Sequence, residues 1–145
     1  MTTTRYERNI ALKDIGPEGQ LALQNARVGV LGAGGLGSPA LYYMAAAGVG
    51  FIRVVDFDSV EESNLQRQIL HNTPRVGQNK AGSAEKTLRD LNPDVEIDPI
   101  SKVVTADNVA RIFADVDVVI EASDNYEAKF LVGDYCAESG QPLVW

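Results

Sequence analysis

A glycine-rich turn, Gly32-Ala33-Gly34-Gly35-Leu36-Gly37, stands between two apolar runs of this chain. The first run covers residues 28–31, and the second covers residues 51–56 and ends in Asp56. In a strand–turn–helix–strand unit, the first glycine permits a tight turn, the second lets a phosphate approach the backbone, and the third lets the helix pack closely. The helix N-terminus attracts an anion, and a strand-end acid can hold ribose hydroxyls. The pattern predicts a nucleotide site, and it leaves open whether the nucleotide is a redox cofactor or a substrate.

Four polar side chains further along the chain suit phosphate chemistry. They are Asn64, Arg67, Lys80 and Asp124. In a doubly wound sheet the carboxyl ends of strands one, two and four converge on one crevice, so the glycine turn, Asp56 and Asp124 should line one site. Cations offset charge that develops on a transferring phosphate, and a carboxylate can hold Mg²⁺. Hydride transfer does not need these groups, so the set favours phosphoryl or nucleotidyl transfer.

An alternation of strands and helices must position these residues. Strands are expected at 28–31, 51–56, 95–100 and 116–122, with a fifth beginning at 143, and helices at 38–47, 78–91, 107–113 and 126–139. This order predicts an α/β fold, a Rossmann-like and mostly parallel sheet with helices on both faces. Loops as long as residues 57–77 inside a domain are usually functional.

Two further expectations concern the ends of the chain. Residues 1–26 should form a short N-terminal helical segment, with a turn at 16–19 and a short helix on each side, and residues 27–145 the nucleotide-binding domain. The last strand should be central or near-central, which predicts a sheet that is incomplete at the C-terminus and a chain that is part of a longer protein.

Composition limits the class of protein. A chain of 145 residues that is 45% hydrophobic suits one folded domain, and a net charge of -7 argues against nucleic acid as a partner. The single cysteine, Cys136, allows no internal disulfide and no cysteine zinc site, and we expect it in the core. No apolar signal region begins the chain, which favours a cytoplasmic protein. Residues 28–52 are uncharged, but their glycines predict a strand, a turn and a helix rather than a membrane span.

Seven motifs in order resemble the ThiF/MoeB/HesA family, the adenylating enzymes of sulfur-carrier and ubiquitin-like proteins, related to ubiquitin-activating enzymes. They are Arg5-Tyr6-x-Arg8, Ile15-Gly16-x-Glu18-Gly19-Gln20, Gly32-Ala33-Gly34-Gly35-Leu36-Gly37, Asp56-x-Asp58, Ser63-Asn64-Leu65-x-Arg67-Gln68, Gly77-x-x-Lys80 and Ser123-Asp124-Asn125. The resemblance covers essentially the whole chain. It implies that a carrier's C-terminal glycine carboxylate attacks the α-phosphate of ATP, giving an acyl-adenylate and pyrophosphate.

The resemblance also implies a role for each matching residue. The glycine turn contacts the phosphates and adenosine through Gly32, Ala33, Gly34, Gly35 and Gly37. Asp56 binds the ribose, and Asp58 beside it also contacts the nucleotide. The phosphates are surrounded by Asn64, Arg67, Gln68 and Lys80. Arg67 stabilises the transition state, Asp124 positions Mg²⁺, and Arg8 reaches across a homodimer into the partner's site. The partner is a ubiquitin-like sulfur carrier that ends in Gly-Gly. In many members a following C-terminal part carries cysteines for structural zinc, and it is absent from these residues.

Other interpretations of the same residues stay open. The glycine turn with Asp56 also suits an NAD-binding oxidoreductase domain, and a non-catalytic scaffold subunit could keep the same fold. Asp56 and Asp124 could be helix N-caps. Arg8 could pair with an acid of its own subunit, and His71, the only histidine, receives no role.

Overall fold

Five parallel strands form a single sheet in the computed structural model, which describes residues 3–145. Their order is β3-β2-β1-β4-β5. The strands are β1 (Arg27–Leu31), β2 (Phe51–Val55), β3 (Glu96–Ile100), β4 (Val118–Glu121) and β5 (Leu143–Val144). The helices are α1 (Glu7–Ile10), α2 (Gly16–Asn25), α3 (Gly37–Ala47), α4 (Lys80–Leu91), α5 (Val109–Phe113) and α6 (Tyr126–Ser139). The predicted α/β architecture is confirmed, and every strand pairing in the described chain is parallel.

The sheet is buried on both faces because side chains alternate along each strand. On one face Val30 and Ile52 pack in a cluster with Leu41 of α3 and Leu88 of α4. On the other face a second cluster contains Val55, Val119, Phe113, Val132 and Cys136, so α5 and α6 cover that side. Cys136 therefore lies in the core as expected, and burial raises the pKa of its thiol.

One local prediction is wrong. Residues 16–19 do not form a separate turn: Gly16 begins α2, and Pro17 occupies the first helical turn, where its missing N–H costs nothing. The expected connection lies instead at residues 11–15. In the described chain β5 pairs with β4 alone, and a near-central place for β5 in a longer sheet stays a prediction.

The N-terminal segment packs on the C-terminal ends of α3 and α4. The side-chain amides of Asn9 and Gln20 both donate to the Ala47 carbonyl, at 3.3 and 2.9 Å. Buried Asn92 donates to the Tyr6 hydroxyl at 2.8 Å. Helix ends leave carbonyls without partners, and the Asn9 and Gln20 amides satisfy that of Ala47. The segment is thereby held at the amino-end side of the sheet, opposite the glycine turn, which precedes α3.

None of the helices within residues 3–145 is long and apolar enough to cross a membrane.

Candidate nucleotide site

A cavity of about 900 Å³ opens at the carboxyl ends of the strands. Its walls contain nine of the predicted site residues, eight for the nucleotide and one, Asp124, for Mg²⁺. These are Gly32, Gly34, Gly35, Asp56, Asp58, Arg67, Gln68, Lys80 and Asp124. Because β1 lies between β2 and β4, the loops that follow these three strands meet at one place. A cavity of this size is in the range that holds a nucleotide-sized ligand.

The glycine turn forms the floor of the cavity. Gly32 has φ of 103°, and a Cβ there would lie 2.8 Å from the Ala122 carbonyl carbon. A Cβ on Gly37 would lie 2.0 Å from the Gly32 carbonyl oxygen, so α3 can begin this close to β1 only with glycine. Gly34 and Gly35 line the cavity, and their lack of side chains leaves backbone open to a ligand. Ala33 and Gly37 are buried beneath that surface.

Asp56 clamps the glycine turn from the end of β2. One carboxylate oxygen accepts from the Ala33 N–H at 2.8 Å, and the other accepts from the Asp58 N–H at 2.9 Å. Burial raises the pKa of the Asp56 carboxyl, although both backbone hydrogen bonds oppose the rise. Ala33 lies before α3, so Asp56 holds a loop and is not a helix N-cap.

The long loop after Asp56 folds back so that α4 begins beside the cavity. Asn79 caps α4, its side-chain oxygen accepting from the Ala81 and Gly82 N–H groups, while its amide donates to the Asp56 carbonyl at 2.9 Å. Lys80 follows as the first helical residue, and it is buried. Its Nζ lies 3.9 Å from an Asp58 carboxylate oxygen, too far for a hydrogen bond. The ammonium group therefore faces the cavity with a weak ion pair only.

Arg67 and Gln68 reach the cavity from a turn that Asn64 organises. The Asn64 side-chain oxygen accepts from the Glu61 N–H at 3.1 Å, and its carbonyl accepts from the Gln68 N–H at 2.9 Å. Asn64 does not line the cavity. Exposed Arg67 donates to the Ser63 carbonyl at 3.3 Å, and buried Gln68 has a side-chain oxygen with no partner in the described chain.

Asp124 lies on the β4 side of the cavity and is exposed. The N-cap of α6 is Asn125, whose side-chain oxygen accepts from the Ala128 N–H at 3.1 Å. Asp124 is thus not used as a helix cap, and its carboxylate is available. Arg8 does not line this cavity; it is an exposed residue of α1.

Sequence reasoning missed the loop that follows β3. Residues 102–105 line the cavity, including Lys102 and Thr105. β3 pairs in parallel with β2, so its carboxyl end reaches the same edge of the sheet. Knowing that β3 lies next to β2 would have predicted that this loop reaches the cavity, but the strand order cannot be obtained from the sequence pattern. The cavity walls therefore carry three cations, Arg67, Lys80 and Lys102, facing carboxylates that include Asp58 and Asp124.

Fold and site together define the class of protein. A glycine turn at a strand–helix junction, strand-end carboxylates and three cations around one cavity make a Rossmann-like domain whose cavity suits a nucleotide. Within that class, the chain belongs to the ThiF family, whose pattern it matches over residues 6–145.

Curated relatives agree with that membership. The chain is 51% identical over 140 residues to the SAMP-activating enzyme E1 of Haloferax volcanii, a match that covers 97% of this chain and 52% of the relative. It is 47% identical over 141 residues to the sulfur carrier protein adenylyltransferase of Thermus thermophilus, covering 97% and 52%. The chain thus spans about half the length of these relatives.

Solved structures share the fold. The E. coli tRNA N6-threonylcarbamoyladenosine dehydratase TcdA, in complex with ATP, superposes with a TM-score of 0.91 at 31% identity, covering 97% of this chain and 57% of that chain. E. coli MccB in complex with AMPCPP and MccA superposes with a TM-score of 0.86 at 27% identity, covering 98% and 44%. The predicted family and fold are both confirmed.

Proposed function

We propose that this chain binds ATP and adenylates the C-terminal glycine carboxylate of a ubiquitin-like sulfur-carrier protein. The observation that carries the proposal is the cavity itself, which brings the open backbone of Gly34 and Gly35 together with Arg67 and Lys80. Such a set is suited to a polyphosphate and to charge that develops on it. Two of the relatives above are named as an adenylyltransferase and an activating enzyme.

The reaction is a substitution at the α-phosphorus. A carboxylate oxygen of the carrier forms a bond to phosphorus, the bond to the bridging α–β oxygen breaks, and pyrophosphate leaves with that electron pair. Negative charge grows on the phosphate oxygens in the transition state. Arg67 can meet two of those oxygens with its planar guanidinium, and Lys80 adds a buried point charge.

The residues present fit a magnesium ion bound mainly through its substrate. Mg²⁺ keeps several waters and takes one or two carboxylates plus phosphate oxygens. Asp124 offers an exposed carboxylate that no helix end uses. Within residues 3–145, the cavity included, no group of three or more acidic, histidine or cysteine side chains could hold a metal without such phosphate oxygens. When bound, the ion would neutralise charge on the phosphates.

The proposal includes a homodimer in which Arg8 enters the partner's cavity. Asn9 ties α1 to the Ala47 carbonyl, at the C-terminal end of α3. The glycine turn lies at the other end of this 11-residue helix. Arg8 is therefore about 16 Å, one helix length, from the glycine turn of its own protomer. While α1 stays docked this side chain cannot reach the cavity of its own protomer, so a contact with a nucleotide would require the cavity of a second copy.

The test is a calorimetric titration with ATP and Mg²⁺ and, separately, with NAD. We expect ATP to bind at least tenfold more tightly, about 1.4 kcal/mol. Adenosine serves as the control that lacks phosphates, and it should bind much more weakly than ATP. A tenfold preference for NAD would instead identify a dinucleotide-binding domain.

A further inference from the structure

His71 is buried under the glycine turn and makes two hydrogen bonds there. It is 6% exposed. Its Nε2 lies 2.7 Å from the Ala33 carbonyl oxygen, and its Nδ1 lies 2.8 Å from the Ser83 hydroxyl of α4. The imidazole therefore joins the turn to a helix that packs beside it.

The partners determine which ring nitrogen carries the proton. A carbonyl oxygen only accepts, so the Nε2–H of His71 must donate to Ala33. In the neutral ring Nδ1 then accepts, and the Ser83 hydroxyl donates to it. Burial lowers the pKa of His71, and the positive charges of Lys80 and Arg75 add to that effect, although the Ala33 hydrogen bond and Asp56 oppose it. The ring is neutral at pH 7, in the tautomer that this contact requires.

The Ala33 carbonyl belongs to the same planar peptide as the Gly34 N–H. In a trans peptide these two groups point in opposite directions, and the described chain contains no cis bond. While His71 holds the carbonyl on the buried side, the Gly34 N–H is aimed at the opposite side, where Gly34 lines the cavity. No acceptor for this N–H is found among residues 3–145.

The preceding peptide is held by a different residue. The Ala33 N–H donates to Asp56 at 2.8 Å, so that group is already used within the protein. Asp56 thus accepts from the Ala33 N–H, and His71 donates to the Ala33 carbonyl. The Gly34 N–H remains available to donate to a ligand. A free, outward N–H in a glycine turn is an anion-binding group.

We propose that His71 is a positioning residue that aims the Gly34 N–H at a phosphate of the bound nucleotide. The inference rests on the proposed function, because it requires a phosphate in the cavity. His71 itself touches neither the nucleotide nor the reacting atoms. Its role is carried entirely by its Nε2–H donor.

The test compares two variants of His71. His71→Gln keeps an N–H donor at a similar reach, whereas His71→Leu keeps the bulk and removes the donor. We expect the leucine variant to bind ATP about tenfold more weakly, and the glutamine variant to stay within about threefold of the wild type. Adenosine has no phosphate, so its affinity should stay within about twofold in both.

A matched control separates positioning from loss of stability. Asp115→Asn should lower the melting temperature through a site remote from the cavity, while leaving ATP binding unchanged. If His71→Leu lost ATP and adenosine affinity equally, the inference would be overturned. It would also be overturned if His71→Leu bound ATP as tightly as the wild type does. If the wild type itself fails to bind ATP, the proposed function fails instead.

A spectroscopic measurement on the wild type needs no variant to fold. Nitrogen NMR of His71, the only histidine, should show a protonated Nε2 and an unprotonated Nδ1 at pH 7, with slow exchange of the ring proton. The opposite tautomer would exclude the Ala33 contact and the inference with it.

Discussion

The two ends of the sheet use charge in opposite ways. Toward the amino ends of the strands lies an ion-pair cluster of four residues, Arg27, Arg53, Asp98 and Asp115. Arg53 Nε contacts Asp98 at 2.7 Å, and Arg27 contacts Asp115 at 2.9 Å. Both guanidinium groups also lie over the Phe51 ring, at 3.7 and 5.3 Å from its centroid. Every charge in this cluster has a partner within hydrogen-bond distance.

At the carboxyl ends, the cavity cations are poorly paired. Among the three cavity cations of the described chain, only Lys80 has an ion pair, with Asp58 across 3.9 Å. A second pair at this end of the sheet, Lys129 with Glu121 at 3.6 Å, lies outside the cavity walls. Arg67 reaches only a backbone carbonyl, at 3.3 Å. Like charges left near each other without partners cost stability, so a folded protein keeps them where a ligand uses them. We call the side with fully paired charge the structural end of the sheet, and the side with the poorly paired cavity cations the functional end.

The largest expected effect is at Arg67. Arg67→Ala should lower carrier-dependent ATP–pyrophosphate exchange about a hundredfold, roughly 3 kcal/mol of transition-state stabilisation, and weaken ATP binding much less. Arg67→Lys should recover only part of the rate, because an ammonium group lacks the planar fork. Exchange kinetics at saturating ATP measure both variants. A near-normal rate in the alanine variant would break the link between unpaired charge and catalysis.

A smaller effect is expected at Arg8, a cation that does not line the cavity of its own subunit. Arg8→Ala should lower exchange about tenfold, roughly 1.4 kcal/mol. Mixing Arg8→Ala with Arg67→Ala subunits should restore one competent site per heterodimer, since each subunit supplies what the other lacks. Mixed samples in which heterodimers form without recovered activity would show that Arg8 does not act in trans.

At the structural end, Asp115→Asn should cost stability and leave function intact. The carboxylate is half exposed, so solvent screening keeps the expected loss near 1 kcal/mol. Hydrogen bonds from Arg53 hold the pKa of Asp115 below its usual range. Its contribution is therefore present above the unfolded pKa and is lost as pH falls through the folded pKa. Thermal unfolding at pH 7 should show the loss, with unchanged ATP affinity; altered affinity would mean that the two ends are coupled.

The smallest effect concerns the pH dependence set by His71. Its folded pKa lies below the unfolded value, so the unfolded chain binds more protons between the two. Stability should consequently fall as pH drops below about 6.5, toward the folded pKa. His71→Gln has no such group, and its unfolding free energy should change less between about pH 7.5 and pH 5.5. Parallel curves for the two proteins would contradict the lowered pKa of His71 in the folded chain.

Sequence patterns predicted the order and type of most elements correctly. Buried apolar runs identified β1 and β2, and Gly140 after α6 marked a helix end, where it has φ of 76°. The failure at residues 16–19 has a local cause. A Gly-Pro pair is equally typical of a turn and of a first helical turn, and only packing of α2 against α1 and α3 distinguishes them.

For the site, the motifs predicted the residues that lie next to the glycine turn or directly after a strand. Asp56 and Asp124 were found this way, Lys80 was found through the motif Gly77-x-x-Lys80, and the cavity contains all three. Lys102 was missed because its position depends on β3 lying beside β2. His71 was missed because a single histidine carries no motif.

By itself, the sequence determined the α/β class, the glycine turn and the set of charged residues available to it. Only the tertiary structure decided what each charge does. His71 meets Ala33 from 38 positions away, and Arg53 meets Asp115 from 62 positions away. Whether a polar group is satisfied depends on partners that are distant in sequence and close in space, and local patterns do not contain that information. The same physics that pairs Arg53 within the protein leaves Arg67 free to meet a ligand.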